Sequence, residues 1–226
     1  MPTSLLDREI YSYPDVDRLV GVRAGTARRW LEGYTRADRF YEPVLRPEST
    51  GSDAVTWGEM VEARLLADFR RRDVPVQRMR PAIVALRREF GRYPLAVARP
   101  FLDVAGRELV RRVQDQVGLD RELRLVVARN GQLILTPTAE SFQSLVEHEA
   151  GSAVRVRPDP RTPGVVMDPE RAFGQPAIRN VRTETLAEDY RAGTRRAELA
   201  DLYDLTVDQV DEAIRFELIA GYAHAA

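Results

Sequence analysis

Apolar and polar positions alternate with helical spacing near the start of the chain. This spacing predicts a short helix over residues 14–20 and a second one from Thr26 to about Gly33. Gly21 ends the first helix, and residues 23–25 form a tight turn that contains a glycine. The apolar face that the two helices share comprises Leu19, Val22, Ala27, Trp30 and Leu31. Two short helices joined in this way are typical of a helix-turn-helix.

The pattern then changes to short strand-like runs over residues 41–45 and 54–57. The polar segment between them predicts a turn, so the two runs together predict a β-hairpin that would form a wing. Helical spacing returns over residues 57–72 and 76–90. Pro81 lies inside the second of these helices, which therefore either kinks there or begins near Arg80. We expect these elements to form a winged helix-turn-helix domain over residues 1–95.

The rest of the chain predicts two further regions. Asn130-Gly131 lies between two β-rich runs and predicts a hairpin, which a helix over residues 138–147 follows. Three prolines in residues 157–164 predict a linker. Helical patterns then cover residues 183–192, 195–203 and 206–220. We expect a mainly α (α+β) protein with a small mixed α/β middle region over residues 96–160 and a C-terminal three-helix domain over residues 161–226.

Composition excludes several kinds of chemistry. The chain has no cysteine and only two histidines, His148 and His224, which removes thiol nucleophiles, disulfides and cysteine-based zinc sites. It has no Walker loop, nucleophile elbow or dinucleotide fingerprint, so we expect no enzymatic activity, metal or cofactor, although a nuclease built from carboxylates stays open. No apolar run approaches the length of a membrane span, and residues 1–10 do not resemble a signal peptide. We expect a cytoplasmic protein.

Charge is distributed unevenly along the chain. All 34 basic residues are arginine, as codon bias in a GC-rich genome would produce, and every cation of the chain can therefore bind phosphate or carboxylate in a bidentate manner. Residues 1–95 contain 17 arginines and 14 acidic residues, a net charge of +3, whereas residues 161–226 contain 8 and 12, a net charge of −4. The first region therefore suits DNA better than the second.

The predicted helix-turn-helix contains the residue types that DNA reading needs. Arg23, Thr26, Arg28 and Arg29 would supply hydrogen-bond donors, and Trp30 would anchor the second helix from behind. Arginine is the usual reader of guanine, through O6 and N7. The alternative, a plain pair of surface helices that carry arginines, stays open at this point.

The order of elements resembles the MerR-type winged helix-turn-helix domain. The matching segments are Tyr13-Pro-Asp-Val-Asp-Arg-Leu-Val-Gly-Val22, Thr26-Ala-Arg-Arg-Trp30 and Val55-Thr-Trp57. The resemblance implies that the helix from Thr26 enters the major groove, that Arg28 and Arg29 contact DNA, and that Arg46 acts from the wing. Metal sensors of that type carry cysteines on a later helix, and this chain has none.

The last 60 residues resemble a small antitoxin-associated family known as domain of unknown function 433. The residues that carry this resemblance are Gly174, Pro176, Ile178, Arg182, Gly193, Leu199, Ala200, Leu205, Thr206 and Val210. One departure from the pattern is Asn180, which stands where a glycine is usual. Arg179 and Arg182 are the candidates for binding a toxin, because a fixed loop would direct them outward; an ion pair within the chain or plain solvation stays open for both.

Together the two regions resemble the longer VapB-type antitoxins. That resemblance implies a homodimer that binds its own double-stranded promoter DNA and neutralises a PIN-type ribonuclease toxin. The alternative function is a self-standing MerR-like transcription regulator that responds to a small molecule.

Overall fold

The computed structural model describes residues 4–225, with side chains described as far as residue 220, so His224 lies outside the described side chains. The chain divides into two compact units, Met1–Ala153 (unit 1) and Val154–Ala226 (unit 2). No helix among the described residues is both long enough and apolar enough to cross a membrane.

The first part of unit 1 alternates short helices and short strands. Its elements are β1 (Glu9–Tyr11), α1 (Tyr13–Val20), α2 (Thr26–Glu32), β2 (Tyr34–Arg36), β3 (Arg39–Tyr41), β4 (Val55–Thr56), α3 (Trp57–Arg70) and α4 (Arg80–Phe90). The two predicted helices of the helix-turn-helix are confirmed. A 3-10 turn over Val76–Met79 precedes α4, so Pro81 stands in the first turn of the helix, where its missing N–H costs nothing.

The predicted pairing of the wing is wrong. The run over residues 54–57 does not pair with residues 41–45, because β4 pairs with β1 instead. The hairpin of this region lies earlier, where β2 pairs antiparallel with β3. Its two turn residues, Ala37 and Asp38, both have positive φ (47° and 58°), as a tight two-residue hairpin turn requires.

The second part of unit 1 contains both predicted and unpredicted elements. They are α5 (Arg99–Leu102), α6 (Val104–Gln116), β5 (Val126–Arg129), β6 (Gln132–Leu135), α7 (Pro137–Leu145), β7 (Val146–Glu149) and β8 (Ser152–Val156), whose last residues belong to unit 2. The hairpin of β5 and β6 turns at Asn130-Gly131, as predicted. The helices α5 and α6 and the pair of β7 with β8 were not predicted from the sequence.

Helix α3 lies at the centre of unit 1. Residues 57–67 are buried almost without a break, including charged Glu59 and Glu62, and a helix that is buried on every side is a core helix. It packs against α1 on one side and α7 on another, and the indole N–H of Trp57 donates to the carbonyl of Ala153 at 2.8 Å. The predicted division at residue 95 is therefore not a boundary of the structure, since both predicted regions share this core.

Unit 2 is a small helical bundle with one hairpin. Its elements are β9 (Ala177–Ile178), β10 (Val181–Arg182), α8 (Thr183–Arg191), α9 (Arg196–Tyr203) and α10 (Val207–Ala225). Its buried core comprises Val165, Ile178, Leu186, Leu199, Ala200, Leu205, Val210, Ala213 and Phe216. The three predicted C-terminal helices are confirmed.

The segment predicted as a linker is part of unit 2. Thr162 is fully buried, and the amide of Gly164 donates to Glu212 Oε1 of α10 at 2.7 Å. The division of the chain falls before this segment, at Ala153, rather than at residue 160. Prolines here shape an ordered loop that packs on the last helix.

Candidate nucleic-acid interface

The helix pair of α1 and α2 is fixed by local hydrogen bonds. Ser12 caps α1 in a capping box with Asp15, in which Asp15 Oδ2 accepts from the Ser12 amide at 2.9 Å. Gly21 ends α1 in the left-handed conformation (φ 68°, ψ 47°), and Gly25, at the start of α2, also has positive φ. These glycines allow the chain to reverse direction within a few residues.

Asp17 ties the first helix to the start of the second. Its carboxylate, 5% exposed, accepts from the amides of Gly25 at 2.6 Å and Ala27 at 2.7 Å, so a side chain of α1 caps α2. Burial raises the pKa of Asp17, although the two amide donors act in the opposite direction. This role of Asp17 was not predicted from the sequence; its signal is a carboxylate eight and ten residues before two amides that a helix leaves unpaired.

The outer face of α2 presents arginine. Arg28 and Arg29 are both exposed, and Arg23 is exposed in the turn before the helix. Arg29 donates to the carbonyl of Gly25 at 3.1 Å and to Thr26 Oγ1 at 3.2 Å. Thr26 itself is 8% exposed and its hydroxyl oxygen holds Arg29, so its expected role as a DNA donor stays a prediction.

Arg46 does not lie on a wing. It is 5% exposed and forms two hydrogen bonds with the Glu59 carboxylate, at 2.8 and 3.1 Å, and an ion pair with Glu32. It also donates to Thr50 Oγ1 at 2.6 Å and to the carbonyl of Ala54 at 2.7 Å. The expectation that Arg46 contacts DNA from a wing is wrong, because the hydrogen bonds of its guanidinium connect α2, α3 and the loop before β4.

Glu32 is the partner of Arg46 at the end of α2. Burial opposes its ionisation, but hydrogen bonds from the Ser49 hydroxyl, the Gly51 amide and the Tyr13 hydroxyl outweigh burial and lower its pKa to about 2. The carboxylate thus stays charged at neutral pH and fixes the end of α2 to the loop over residues 46–54.

The hairpin of β2 and β3 follows α2 directly and carries two more arginines. Arg36 and Arg39 are exposed and directly opposite each other in the register, on the face that also carries Tyr34 and Tyr41. The two tyrosine rings stack with centroids 4.9 Å apart, and the Arg39 guanidinium lies 5.2 Å from the Tyr41 centroid. Like charges directly across a strand pair are unfavourable, and a bound anion would relieve this repulsion.

Arg36 and Arg39 were not predicted from the sequence as part of the interface. The signal was the repetition of aromatic and arginine residues around Ala37-Asp38, which lacks the glycine that marks most tight hairpin turns. The candidate interface on unit 1 therefore consists of Arg23, Arg28, Arg29, Arg36 and Arg39.

The two arginines singled out in unit 2 have different surroundings. Arg179, itself at positive φ (54°), donates to the Asp204 carboxylate at 3.1 Å and to the Asp204 carbonyl at 2.8 Å. Arg182 stands at the N-cap position of α8 without a side-chain capping bond, and its guanidinium lies 5.6 Å from the centroid of the Phe173 ring. Among the described residues no acidic side chain forms an ion pair with Arg182. The left-handed residue of this turn is Arg179 and not Asn180.

The arrangement of potential metal ligands can be compared across the described part of the chain. No group of three or more histidine or acidic side chains there is placed to hold a metal ion. Three carboxylates from which a nuclease site could be built are engaged in the structure: Asp15 and Asp17 cap helices, and Glu59 binds Arg46.

Each unit contains a segment that matches a known protein family. Residues 9–83 match the family described as a putative DNA-binding helix-turn-helix domain, and residues 165–216 match the family described as a protein of unknown function, DUF433. The first match spans α1, α2 and the β2–β3 hairpin, and the second spans the hairpin and helices of unit 2.

Full-length relatives occur in Mycobacterium tuberculosis strain H37Rv. The uncharacterized protein Rv2308 is 42% identical over 95% of this chain and 92% of its own length. The putative antitoxin VapB45 is 30% identical over 92% of this chain and 93% of its own length. The crystal structure of Rv2018 from the same organism is similar with a TM-score of 0.74 and 28% identity, over 92% of this chain and 99% of that one. This chain belongs to the family that includes Rv2308 and the putative antitoxin VapB45.

Proposed function

We propose that the protein is the antitoxin of a type II toxin–antitoxin pair and has no enzymatic activity of its own. In this proposal unit 1 binds double-stranded promoter DNA, and unit 2 binds and neutralises a PIN-type ribonuclease toxin in the cytoplasm. The full-length similarity to a putative antitoxin supports the proposal. The observation that carries the DNA-binding part is the exposed arginine face of α2 and of the hairpin that follows it.

The proposed DNA-binding mode is that of a MerR-like winged helix-turn-helix. Helix α2 enters the major groove with Arg28 and Arg29 toward base edges, while Arg23 contacts the backbone beside it. The β2–β3 hairpin takes the place of the predicted wing, and Arg36 and Arg39 at its tip bind phosphate. A two-fold operator rewards a dimer, so the proposal includes a homodimer in which two α2 helices read two half-sites.

Unit 2 is the less suitable DNA reader, although α9 and α10 also form a pair of helices joined by a tight turn. Asp208 is exposed in the first turn of α10, and Asp211 lies one turn further on, where it pairs with Arg196 at 3.0 Å. Acidic residues at the start of a recognition helix would repel phosphate. This difference in charge assigns DNA to unit 1 in the proposal.

Binding to the promoter DNA of its own operon tests the DNA-binding part. Fluorescence anisotropy would compare the wild type with Arg28→Ala, Arg29→Ala and the exposed control Arg191→Ala from α8. An arginine that reads a base should cost about 1–3 kcal/mol and relax specificity at one position, whereas an arginine that binds phosphate should reduce the dependence on salt by about one unit of slope. If neither α2 variant differed from Arg191→Ala, α2 would not be the recognition helix.

Co-expression with the neighbouring reading frame tests the toxin-binding part. We expect its product to co-purify through a tag on this chain, and to arrest growth when it is expressed alone. Growth arrest by that product without any co-purification would contradict the antitoxin proposal. A small molecule that changes affinity for DNA, with no toxic neighbour, would favour the regulator instead.

A further inference from the structure

Phe173 is the most exposed large apolar side chain among the described residues, at 73%. A single exposed apolar residue is ordinary, but the backbone of this one is not. Phe173 has φ 55° and ψ 36°, and it lies between Ala172 (φ 46°) and Gly174 (φ 72°). A left-handed conformation is a genuine outlier for a bulky residue, and such residues persist only where the surroundings impose them.

The surroundings here are rigid. The carboxylate of Asp168, 7% exposed, accepts from the Glu170 amide at 2.8 Å and from Arg155 Nε at 3.1 Å. The amide of Gly174 donates to the carbonyl of Arg171 at 2.9 Å, which closes the turn that contains Phe173. The ring of Phe173 is therefore exposed because hydrogen bonds to the buried Asp168 carboxylate and within the turn fix the loop in this conformation.

The exposed ring lies beside a charged side chain. The guanidinium of Arg182 lies 5.6 Å from the ring centroid, within the range of a cation–π contact. Arg182 is carried by β10, which is paired with β9, so the hairpin fixes its position as the loop fixes that of Phe173. An aromatic ring beside an arginine with unpaired N–H groups is the composition of binding hot spots.

We propose that Phe173 and Arg182 form the anchor by which unit 2 docks onto the toxin, with the ring in an apolar recess and the guanidinium on a carboxylate beside it. This inference rests on the proposed function, and it specifies the partner surface as acidic around an apolar hollow. Charge supports the choice locally, because Arg182 is a cation with no acidic partner among the described residues, although residues 161–226 as a whole carry a net charge of −4. A partner that is acidic at this point would gain most from that cation.

The test measures the affinity of the full chain for the purified product of the neighbouring reading frame by isothermal titration calorimetry. Phe173→Ser and Arg182→Ala should each weaken binding by about 30-fold or more, the usual effect of a hot-spot residue. The double variant should lose less than the product of the two, because the side chains act as a unit. Binding to promoter DNA should be unchanged in all three variants.

Leu202→Ser is the matched control, because Leu202 of α9 is a comparably exposed apolar residue (68%) in the same unit. It should bind the toxin like the wild type. The thermal midpoints of all variants should match that of the wild type, since both Phe173 and Leu202 are exposed. If Phe173→Ser folds poorly, Arg182→Glu replaces it as the test variant and should abolish binding.

The possible failures are distinguishable. A wild-type chain that binds no neighbouring product overturns the proposed function and this inference with it. A wild-type chain that binds, together with a Phe173→Ser variant of unchanged affinity, overturns only the anchor. A Phe173→Ser variant that loses self-association but retains toxin affinity would show that a second copy of the chain occupies the patch, which also overturns the anchor.

Discussion

Replacing Arg46 by methionine should destabilise unit 1 without acting on DNA directly. The guanidinium has a side-chain exposure of 6% and binds Glu59, exposed 3%, and Glu32, exposed 10%. Methionine retains much of the apolar stem but leaves two buried carboxylates without their cation. It also leaves the carbonyl of Ala54 without the donor that it has at 2.7 Å.

The magnitude follows from that burial. Removing one partner of a buried ion pair costs about 3–5 kcal/mol, because the remaining charge stays buried and unpaired. For a unit of this size each kcal/mol lowers the thermal midpoint by about 2–4 °C, so we expect a decrease of roughly 6–20 °C. The exposed control Arg28→Ala should change the free energy of unfolding by less than about 0.5 kcal/mol.

Tryptophan fluorescence provides the assay. The chain contains two tryptophans, Trp30 and Trp57, and both lie in unit 1, so urea titrations followed by their emission report the unfolding of this unit. The variant that combines Arg46→Met with Glu59→Gln should lose less free energy of unfolding than the two single variants lose in total, because it removes the unpaired charge of Glu59 together with its partner. The matching pH dependence arises from Glu32, whose pKa of about 2 lies below its ordinary value, so this part of the stability is present above pH 4.5 and is lost as the pH falls toward 2.

One outcome would refute the reasoning. If Arg46→Met unfolded like the wild type but bound promoter DNA weakly and with a smaller salt dependence, Arg46 would contact phosphate, and the buried ion pairs would be of no consequence for stability. Partial loss of DNA affinity at an unchanged salt slope, together with lower stability, is the expected pattern, because α2 loses its tether to α3.

Three further changes test other parts of unit 1. Asp17→Ala should lower the free energy of unfolding by about 1–2 kcal/mol in the same urea titration, because α2 loses its cap, while Asp17→Asn should lower it less, because its single amide oxygen keeps one of the two hydrogen bonds; equal effects of both variants would show that this remaining bond is unimportant. Gly33→Ala should destabilise the end of α2, since the added Cβ would meet the Tyr41 carbonyl at 2.4 Å at a residue with φ 76°; wild-type stability would mean that the β2–β3 hairpin moves freely. Glu62→Gln should stabilise the protein above pH 8 and leave it unchanged near pH 4, because burial raises the pKa of Glu62 to about 8. In the wild type, the stability that this raised pKa confers at low pH is lost as the pH rises from 4.5 to 8. A wild type whose free energy of unfolding did not change over that interval would contradict the burial of this carboxyl group.

The elements that the sequence predicted correctly are those whose signals are local. The helix pair of α1 and α2 follows from apolar spacing and from Gly21, and the hairpin of β5 and β6 follows from Asn130-Gly131. The hairpins that turn at Ala37-Asp38 and Ala150-Gly151 were not predicted, because alanine rarely adopts positive φ, yet both alanines do so here (47° and 48°). In those turns the pairing of the flanking strands imposes the backbone that the turn residues do not prefer.

The role of Arg46 could not be predicted from the residues that surround it in the sequence. It opens the polar segment over residues 46–53, whose composition is typical of an exposed turn, but its partners Glu32 and Glu59 are 14 and 13 residues away in opposite directions. Helix α6 shows the same limit, because few of its side chains, such as Val110 and Val113, are buried, and Val104 is 69% exposed. A weak apolar stripe predicts little until the surface that covers it is known.

The two units show why a helix pair alone does not define a function. In unit 1, Gly21 ends α1 with left-handed backbone angles (φ 68°) and α2 follows; in unit 2, Asp204 ends α9 in the same way (φ 52°) and α10 follows. Local hydrogen bonds and buried apolar residues hold each pair together, and these scaffolds alone do not distinguish DNA from protein as a partner. The exposed faces do: arginine is presented at Arg28 and Arg29 of α2, whereas the first turn of α10 presents Asp208. Exchanging these surface charges, with both cores left intact, should therefore move affinity for DNA from one unit toward the other, and a chain whose DNA affinity did not respond would require a DNA-binding surface outside both helix pairs.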